Sequence, residues 1–282
     1  MTSPSSARVL ITADELADLL AAEHPPVVLD VRWQLGGPPG HGEYLTGHVP
    51  GAVYVDLDDE LAAHGEPTDG RHPLPSLEAL QAAARRWGIR PGDTVVAYDG
   101  QGNTAAARAW WLLRWAGLAD VRLLDGALAA WTASGRELAT DDRVPPLGTV
   151  TLAGGGLPVL PFEDVAGFAA SDGVLLDARA PERFRGEVEP VDPKAGHIPG
   201  AISAPTGANL DADGRFLPAD VLRKRFEDLG VSDGTEVAAY CGSGVTAAHQ
   251  IAALAVAGFD AALYPGSWSQ WSNHDLPVAT AP

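Results

Sequence analysis

The chain has 282 residues, room for two ordinary domains, and its 46% hydrophobic and 20% charged content is that of a folded globular protein. Its 37 acidic side chains against 19 basic ones give a net charge of −18, which argues against a groove lined with phosphate-neutralising cations and hence against a nucleic-acid partner. The longest apolar run, Ile251–Phe259, is half of the ~18–20 residues that cross a bilayer, the segment Met1–Leu10 has no basic start or apolar core of a secretion signal, and the lone Cys241 excludes an intrachain disulfide or a cysteine-cluster metal site. The expectation is a cytoplasmic protein without a membrane partner.

From the amino end, apolar spacing predicts a helix over Ala13–Glu23, then strands over Val27–Val31 and Val53–Val55. A helix over Leu77–Trp87, a strand over Val95–Tyr98, a helix over Ala105–Trp115 and a strand over Val121–Leu124 follow. Residues 134–160, rich in Gly, Pro and charge and without periodicity, read as a linker between a domain at 1–133 and a second at 161–282. In the second part, Val174–Asp177, Glu236–Tyr240 and Ala262–Tyr264 read as strands and Ala247–Ala257 as a helix. Short, continuous, β-branched runs alternating with helices imply an α/β fold, each domain a parallel sheet flanked by helices on both faces.

The two parts repeat one another. Val27-Val-Leu-Asp-Val-Arg32 returns as Val174-Leu-Leu-Asp-Ala-Arg179, and Gly47-His-Val-Pro-Gly-Ala52 as Gly196-His-Ile-Pro-Gly-Ala201. Val95-Val-Ala-Tyr-Asp-Gly100 returns as Val237-Ala-Ala-Tyr-Cys-Gly242, and Leu124-Asp-Gly-Ala-Leu-Ala-Ala-Trp131 as Tyr264-Pro-Gly-Ser-Trp-Ser-Gln-Trp271. Four matches in one order, with little drift in spacing, mark a duplicated domain.

Cys241 ends a strand and is followed by Gly-Ser-Gly-Val-Thr and a helix. At that junction the unpaired N–H groups of the turn and first helical turn point at the sulfur and favour a thiolate, while Gly242 and Gly244 let the backbone curl around it. Such a cradle suits a large anion on sulfur, such as a persulfide. The first copy is an internal control, because Asp99-Gly-Gln-Gly-Asn-Thr104 aligns without gaps to Cys241-Gly-Ser-Gly-Val-Thr246 and lacks the nucleophile. That copy is expected to be catalytically silent.

Tandem copies with Gly-His-Ile/Val-Pro-Gly-Ala, a Cys-x-x-Gly-x-Thr loop in the second copy and a terminal Gly-x-Trp-x-x-Trp resemble the rhodanese-type sulfurtransferases over nearly the whole chain. The loop is most similar to that of the 3-mercaptopyruvate branch. Thiosulfate-preferring members carry a more basic loop, Cys-Arg-Lys-Gly-Val-Thr, where this chain has Gly242 and Ser243. The resemblance implies that Ser243 works with His72 and Asp58, a hydrogen-bonded chain whose hydroxyl addresses the substrate carbonyl rather than acting as nucleophile. It implies that Arg183 binds the substrate anion, a task suited to the planar guanidinium fork. Gly242, Gly244, Val245 and Thr246 would form the rest of the binding loop. Family members carry a second arginine shortly before Gly-His-Ile-Pro-Gly; here the segment is about two residues shorter and offers Lys194.

Arg179 and Arg32, and likewise His197 and His48, recur in the active and the silent copy, which assigns them to structure. Arg185 is expected at the rim, and Trp110, Trp111, Trp268 and Trp271 as core anchors. No metal or organic cofactor is implied, since sulfur is itself nucleophile and carrier. The expected reaction takes sulfane sulfur from 3-mercaptopyruvate onto Cys241, releases pyruvate, and passes the sulfur to cyanide, a small thiol or a thioredoxin-like protein. The same chemistry with thiosulfate, and a non-catalytic sulfur-relay scaffold, are the alternatives. A cysteine phosphatase would need an arginine six residues after the cysteine, where Ala247 stands.

Overall fold

The computed structural model describes residues 8–100 and 102–280, so the reading of residues 1–7 as lacking a leader, and Gln101 of the first loop, lie outside the described residues. The chain divides into two compact units.

The first unit carries β1 (Leu10–Ile11), α1 (Ala13–Leu20), β2 (Val27–Asp30), α2 (Gly40–Thr46), β3 (Val53–Tyr54), α3 (Leu57–Glu60) and α4 (Leu77–Arg86). They are followed by β4 (Val95–Tyr98), α5 (Ala106–Trp115), β5 (Val121–Leu124) and α6 (Ala127–Ala133). Its five strands are parallel, in the order β1-β5-β4-β2-β3. Every residue of the central β4 is buried, as expected where helices cover both faces of a parallel sheet. Helix α1 starts on a capping box: the Thr12 hydroxyl accepts the Glu15 N–H at 3.2 Å, and the Glu15 carboxylate accepts the Thr12 N–H at 2.9 Å. That N–H, with Arg8, holds the Glu15 carboxyl down at about 2. The helix stops at Leu20, earlier than its apolar spacing suggests.

The second unit carries α7 (Phe162–Ala169), β6 (Val174–Asp177), α8 (Pro181–Phe184), β7 (Ile202–Ser203), α9 (Ala219–Asp228), β8 (Val237–Tyr240), α10 (Val245–Val256), β9 (Ala262–Leu263) and α11 (Ser267–Ser272). Its strands are parallel in the order β7-β6-β8-β9, and Val159 pairs in parallel with Leu263, reproducing the place of β1 beside β5. The central register repeats in both units: Asp30 lies opposite Tyr98 and Asp177 opposite Tyr240. So does the histidine turn. His48 exchanges backbone hydrogen bonds with Ala139 and stacks on Tyr44 at 3.9 Å; His197 does the same with Ala279 and stacks on Phe184 at 3.7 Å. Trp268 and Trp271 of α11 anchor the second core with Tyr240 and Tyr264.

The units interleave along the sequence. Residues 134–157 pack with the first unit, as do 211–216, where the Phe216 N–H donates to the Asp125 carboxylate at 2.9 Å. Residues 63–74, although encoded in the first copy, pack as part of the second unit. They are seated on α11: a Cβ on Gly70 would come within 2.8 Å of the Gly266 carbonyl oxygen, and the Arg71 N–H donates to the Ser269 hydroxyl at 3.0 Å.

Candidate active site

Strand β8 delivers Cys241 into the second unit's loop, and α10 begins at Val245, two residues before its expected start, because Gly244 turns the chain at φ = +81°. A Cβ at Gly244 would lie 2.3 Å from the Pro265 carbonyl oxygen, so only glycine fits. The turn aims the Gly244 N–H at the sulfur of Cys241, 3.2 Å away. Cys241 is 1% exposed, and Ser243 and Val245 are buried, with Thr246 half-buried.

Helix α11 holds this loop from the far side. The Cys241 N–H donates to the Ser267 hydroxyl at 3.1 Å, the Trp268 N–H to the Cys241 carbonyl at 2.9 Å, and the Ser269 N–H to the Gly242 carbonyl at 2.8 Å. Ser267 sits at φ = +54°, a conformation kept in a non-glycine residue only where its surroundings demand it. The terminal Gly-x-Trp-x-x-Trp motif thus positions the cysteine loop, and because α11 also seats residues 63–74 it brings their side chains to the same place.

His72 arrives by that route. Its Nδ1 lies 2.7 Å from the Ser243 Oγ, and both residues are buried. Arg71 arrives with it and was not among the residues singled out in the sequence. A Cβ built on Gly242 would meet the Arg71 Nη2 at 3.0 Å and the Arg183 Nη1 at 3.5 Å, so two guanidinium groups flank the loop backbone. Arg183, in the last turn of α8, donates from Nη2 to Glu189 at 2.6 Å and to Asp192 at 3.2 Å. The Arg71 Nη1 donates to the same Asp192 carboxylate. Burial works against the charged form of Glu189, but hydrogen bonds from Arg183 and from the N–H groups of Asp192 and Val191 outweigh it and hold the carboxyl below its usual range. For Asp192 burial dominates: with the charge of Glu189 beside it, the carboxyl is pushed up despite Arg71 and Arg183.

Lys194 does not supply the second cation at Gly242. Its Nζ donates to the His274 carbonyl at 2.6 Å, while its own carbonyl accepts the Trp268 indole N–H at 3.0 Å. The short segment before Gly196 is used to tie down α11, and Arg71 occupies the flank of the loop. Asp58 belongs to the first unit, where it lies in the first turn of α3 and accepts the Trp33 indole N–H at 3.0 Å. Arg185 is half-buried and paired with the exposed Glu187, at 2.7 and 2.8 Å. Arg179 is buried against Asp177 at 2.6 Å and over the Trp268 ring at 4.6 Å. A cavity of about 500 Å³ shares Arg71 and Asp192 with the cluster, with His64, Glu66, Gly70 and Asn273 among its other walls. Among the described residues no three His, Cys, Asp or Glu side chains are grouped to hold a metal ion, and no helix is long and apolar enough to cross a membrane.

The rhodanese-like domain family matches residues 12–134 and again 163–274. The chain belongs to the rhodanese family. This rhodanese is 52% identical over 94% of its length to a Mycobacterium tuberculosis protein provisionally named thiosulfate sulfurtransferase SseB, of which the match also covers 94%. It is 46% identical to a Pseudomonas aeruginosa protein provisionally named 3-mercaptopyruvate sulfurtransferase, with 98% of this chain and 99% of the relative covered. Among solved structures it is similar to SseA of Escherichia coli, a 3-mercaptopyruvate sulfurtransferase, with a TM-score of 0.83 and 32% identity over 93% of this chain and 99% of that one. The two parallel α/β units are therefore a tandem rhodanese pair.

Proposed function

We propose that this rhodanese is a sulfurtransferase that takes sulfur from 3-mercaptopyruvate through a Cys241 persulfide. The observation that carries the reading is the 2.7 Å approach of His72 Nδ1 to Ser243 Oγ, two residues from the cysteine. With Nδ1–H donating to the serine oxygen, the Ser243 hydroxyl is left to donate to the ketone oxygen of the donor. The Cys241 thiolate attacks the donor sulfur, the carbon–sulfur bond breaks, and its electron pair passes into the pyruvate enolate, whose oxygen charge the hydroxyl stabilises. The proton of the donor thiol ends on the pyruvate methyl carbon, leaving the persulfide anion in the loop next to the Gly244 N–H. Arg183 and Arg71 hold the donor carboxylate by hydrogen bonds from their guanidinium edges. A thiol, cyanide or reduced thioredoxin-like acceptor then removes the outer sulfur and restores the Cys241 thiolate.

A second reading, thiosulfate as donor by the same persulfide, is favoured by the guanidinium N–H groups at Gly242, which offer a sulfonate the hydrogen-bond donors that the loop's own sequence lacks. Mixing the protein with 3-mercaptopyruvate should release one pyruvate per chain in the first turnover and raise the protein mass by one sulfur atom. The proposal fails if wild-type protein gains no sulfur, or if the Cys241→Ser variant still gains it. The ratio of kcat/KM for the two donors separates the first reading from the second.

A further inference from the structure

We propose that Asp192 sets donor choice by cancelling the charge of the arginine pair, so that the site receives a singly charged donor in preference to a doubly charged one. This rests on the sulfur-transfer reading above. The ion-pair network beside Gly242 holds three cations, Arg71, Arg183 and Arg179, and three anions, Asp192, Glu189 and Asp177, joined by direct ion pairs, so its formal charges cancel. The carboxylates are almost fully buried, at 4% exposure for Glu189 and 2% for Asp192, so water screens the cluster poorly. The pairing is directional. Asp192 takes the Arg71 Nη1, and Glu189 and Asp192 take the Arg183 Nε and Nη2. The Arg71 Nη2 and Arg183 Nη1 are the atoms that approach Gly242 most closely. An anion at the loop therefore meets N–H donors in front while the net charge behind them is zero.

That arrangement discriminates by charge. Hydrogen bonds to the guanidinium edges serve a carboxylate and a sulfonate alike, but the second negative charge of thiosulfate finds no unbalanced cation to offset its desolvation. Removing the Asp192 charge leaves the cluster at +1, and a dianion gains twice the Coulomb attraction of a monoanion. Arg71→Gln has the opposite effect and leaves the cluster at −1. Asp192 is a positioning and specificity residue; it need not touch the donor.

The test measures kcat/KM for 3-mercaptopyruvate and thiosulfate in wild type, Asp192→Asn and Arg71→Gln. The thiosulfate to 3-mercaptopyruvate ratio should rise on the order of tenfold in Asp192→Asn and fall in Arg71→Gln. Dissociation constants of thiosulfate and pyruvate for the Cys241→Ser protein, with and without each substitution, read the same preference without turnover. A ratio within about twofold of wild type in both variants, or a parallel loss for both donors, overturns the proposal. Should the wild type form no persulfide while the binding ratio still shifts, the sulfur-transfer reading falls and the charge-balancing role of Asp192 stands. Arg71→Gln keeps the test decisive if Asp192→Asn does not fold, because the Arg71 side chain is partly exposed and lies outside the sheet.

Discussion

The two rhodanese units place the same turn at the end of the same strand and fill it differently. Strands β4 and β8 share their register, Gly102 and Gly244 turn left-handed at φ = +76° and +81°, and the carbonyls of Asp99 and Cys241 accept the N–H of Leu128 and Trp268 at 3.1 and 2.9 Å. Ala127 and Ser267, at φ = +56° and +54°, hold equivalent non-glycine positions in the left-handed region. In the first unit the Asp99 carboxylate takes the N–H groups of Asn103 at 2.9 Å, Ala105 at 2.9 Å and Ala106 at 3.3 Å. Asn103 is drawn to φ = +61° and α5 starts only at Ala106. In the second unit α10 starts directly after the glycine, and the Gly244 N–H faces sulfur. The first loop shows that the turn gathers N–H groups around an anion; the second offers that cradle to a group that can react.

The sharpest way to break the comparison is to give the second loop the first loop's anion. Cys241→Asp should abolish persulfide formation and turnover altogether while the protein stays folded, with a melting temperature no lower than that of wild type. Loss of fold in this variant would show that the two cradles are not equivalent anion sites. Ser243→Ala probes what the second loop adds to the cradle. It should lower kcat/KM for 3-mercaptopyruvate by about 10²–10³, the usual loss of an oxyanion donor, and for thiosulfate, which has no carbonyl, by much less. Equal losses for both donors would assign the hydroxyl to the loop's structure.

How much of this was legible depended on periodicity. The duplicated strands are buried valine and leucine runs, and a carbon skeleton that alternates between strand and helix announces a parallel sheet before any contact is known. Cys241, Gly242 and Gly244 could be read because a residue type, a turn and a helix start coincide within a few positions. Helices α2, α8 and α11 escaped the apolar pattern because they are short and polar or tryptophan-rich, as in Ser267-Trp-Ser-Gln-Trp-Ser272. Arg71 could not be reached by helix or strand periodicity. Residues 63–74 have no period, and although Asp69-Gly-Arg71 returns as Asp213-Gly-Arg215 in a segment that packs with the first unit, nothing local says that either segment leaves its own copy. The usable signals were adjacency to His72 and the return of Asp69-Gly-Arg71 as Asp213-Gly-Arg215. Lys194 shows the converse error: its place before Gly196 fits the family's second arginine, but a lysine there reaches the His274 carbonyl instead. A resemblance transfers positions, and the charge balance of Arg71, Arg183, Glu189 and Asp192 belongs to contacts between positions.

The smallest expected effect falls on the first unit's loop itself. Asp99 is buried, and its carboxylate satisfies N–H groups that no other part of α5 can accept, since the first N–H groups of a helix have no partner within it. Asp99→Ala should cost about 2 kcal/mol of stability in the first unit, the loss expected when backbone donors to a charged acceptor are left in a dry site. Its thermal transition should drop by several degrees. Asp99→Asn, which keeps one acceptor oxygen, should recover part of that loss. In both variants the kcat/KM of folded protein for either donor should stay within about twofold of wild type, because ~0.4 kcal/mol is the most a purely structural anion in the other copy should contribute to the reacting sulfur. A larger change, measured on protein shown to be folded, would mean that the Asp99 anion takes part in catalysis and that the first rhodanese unit is not silent.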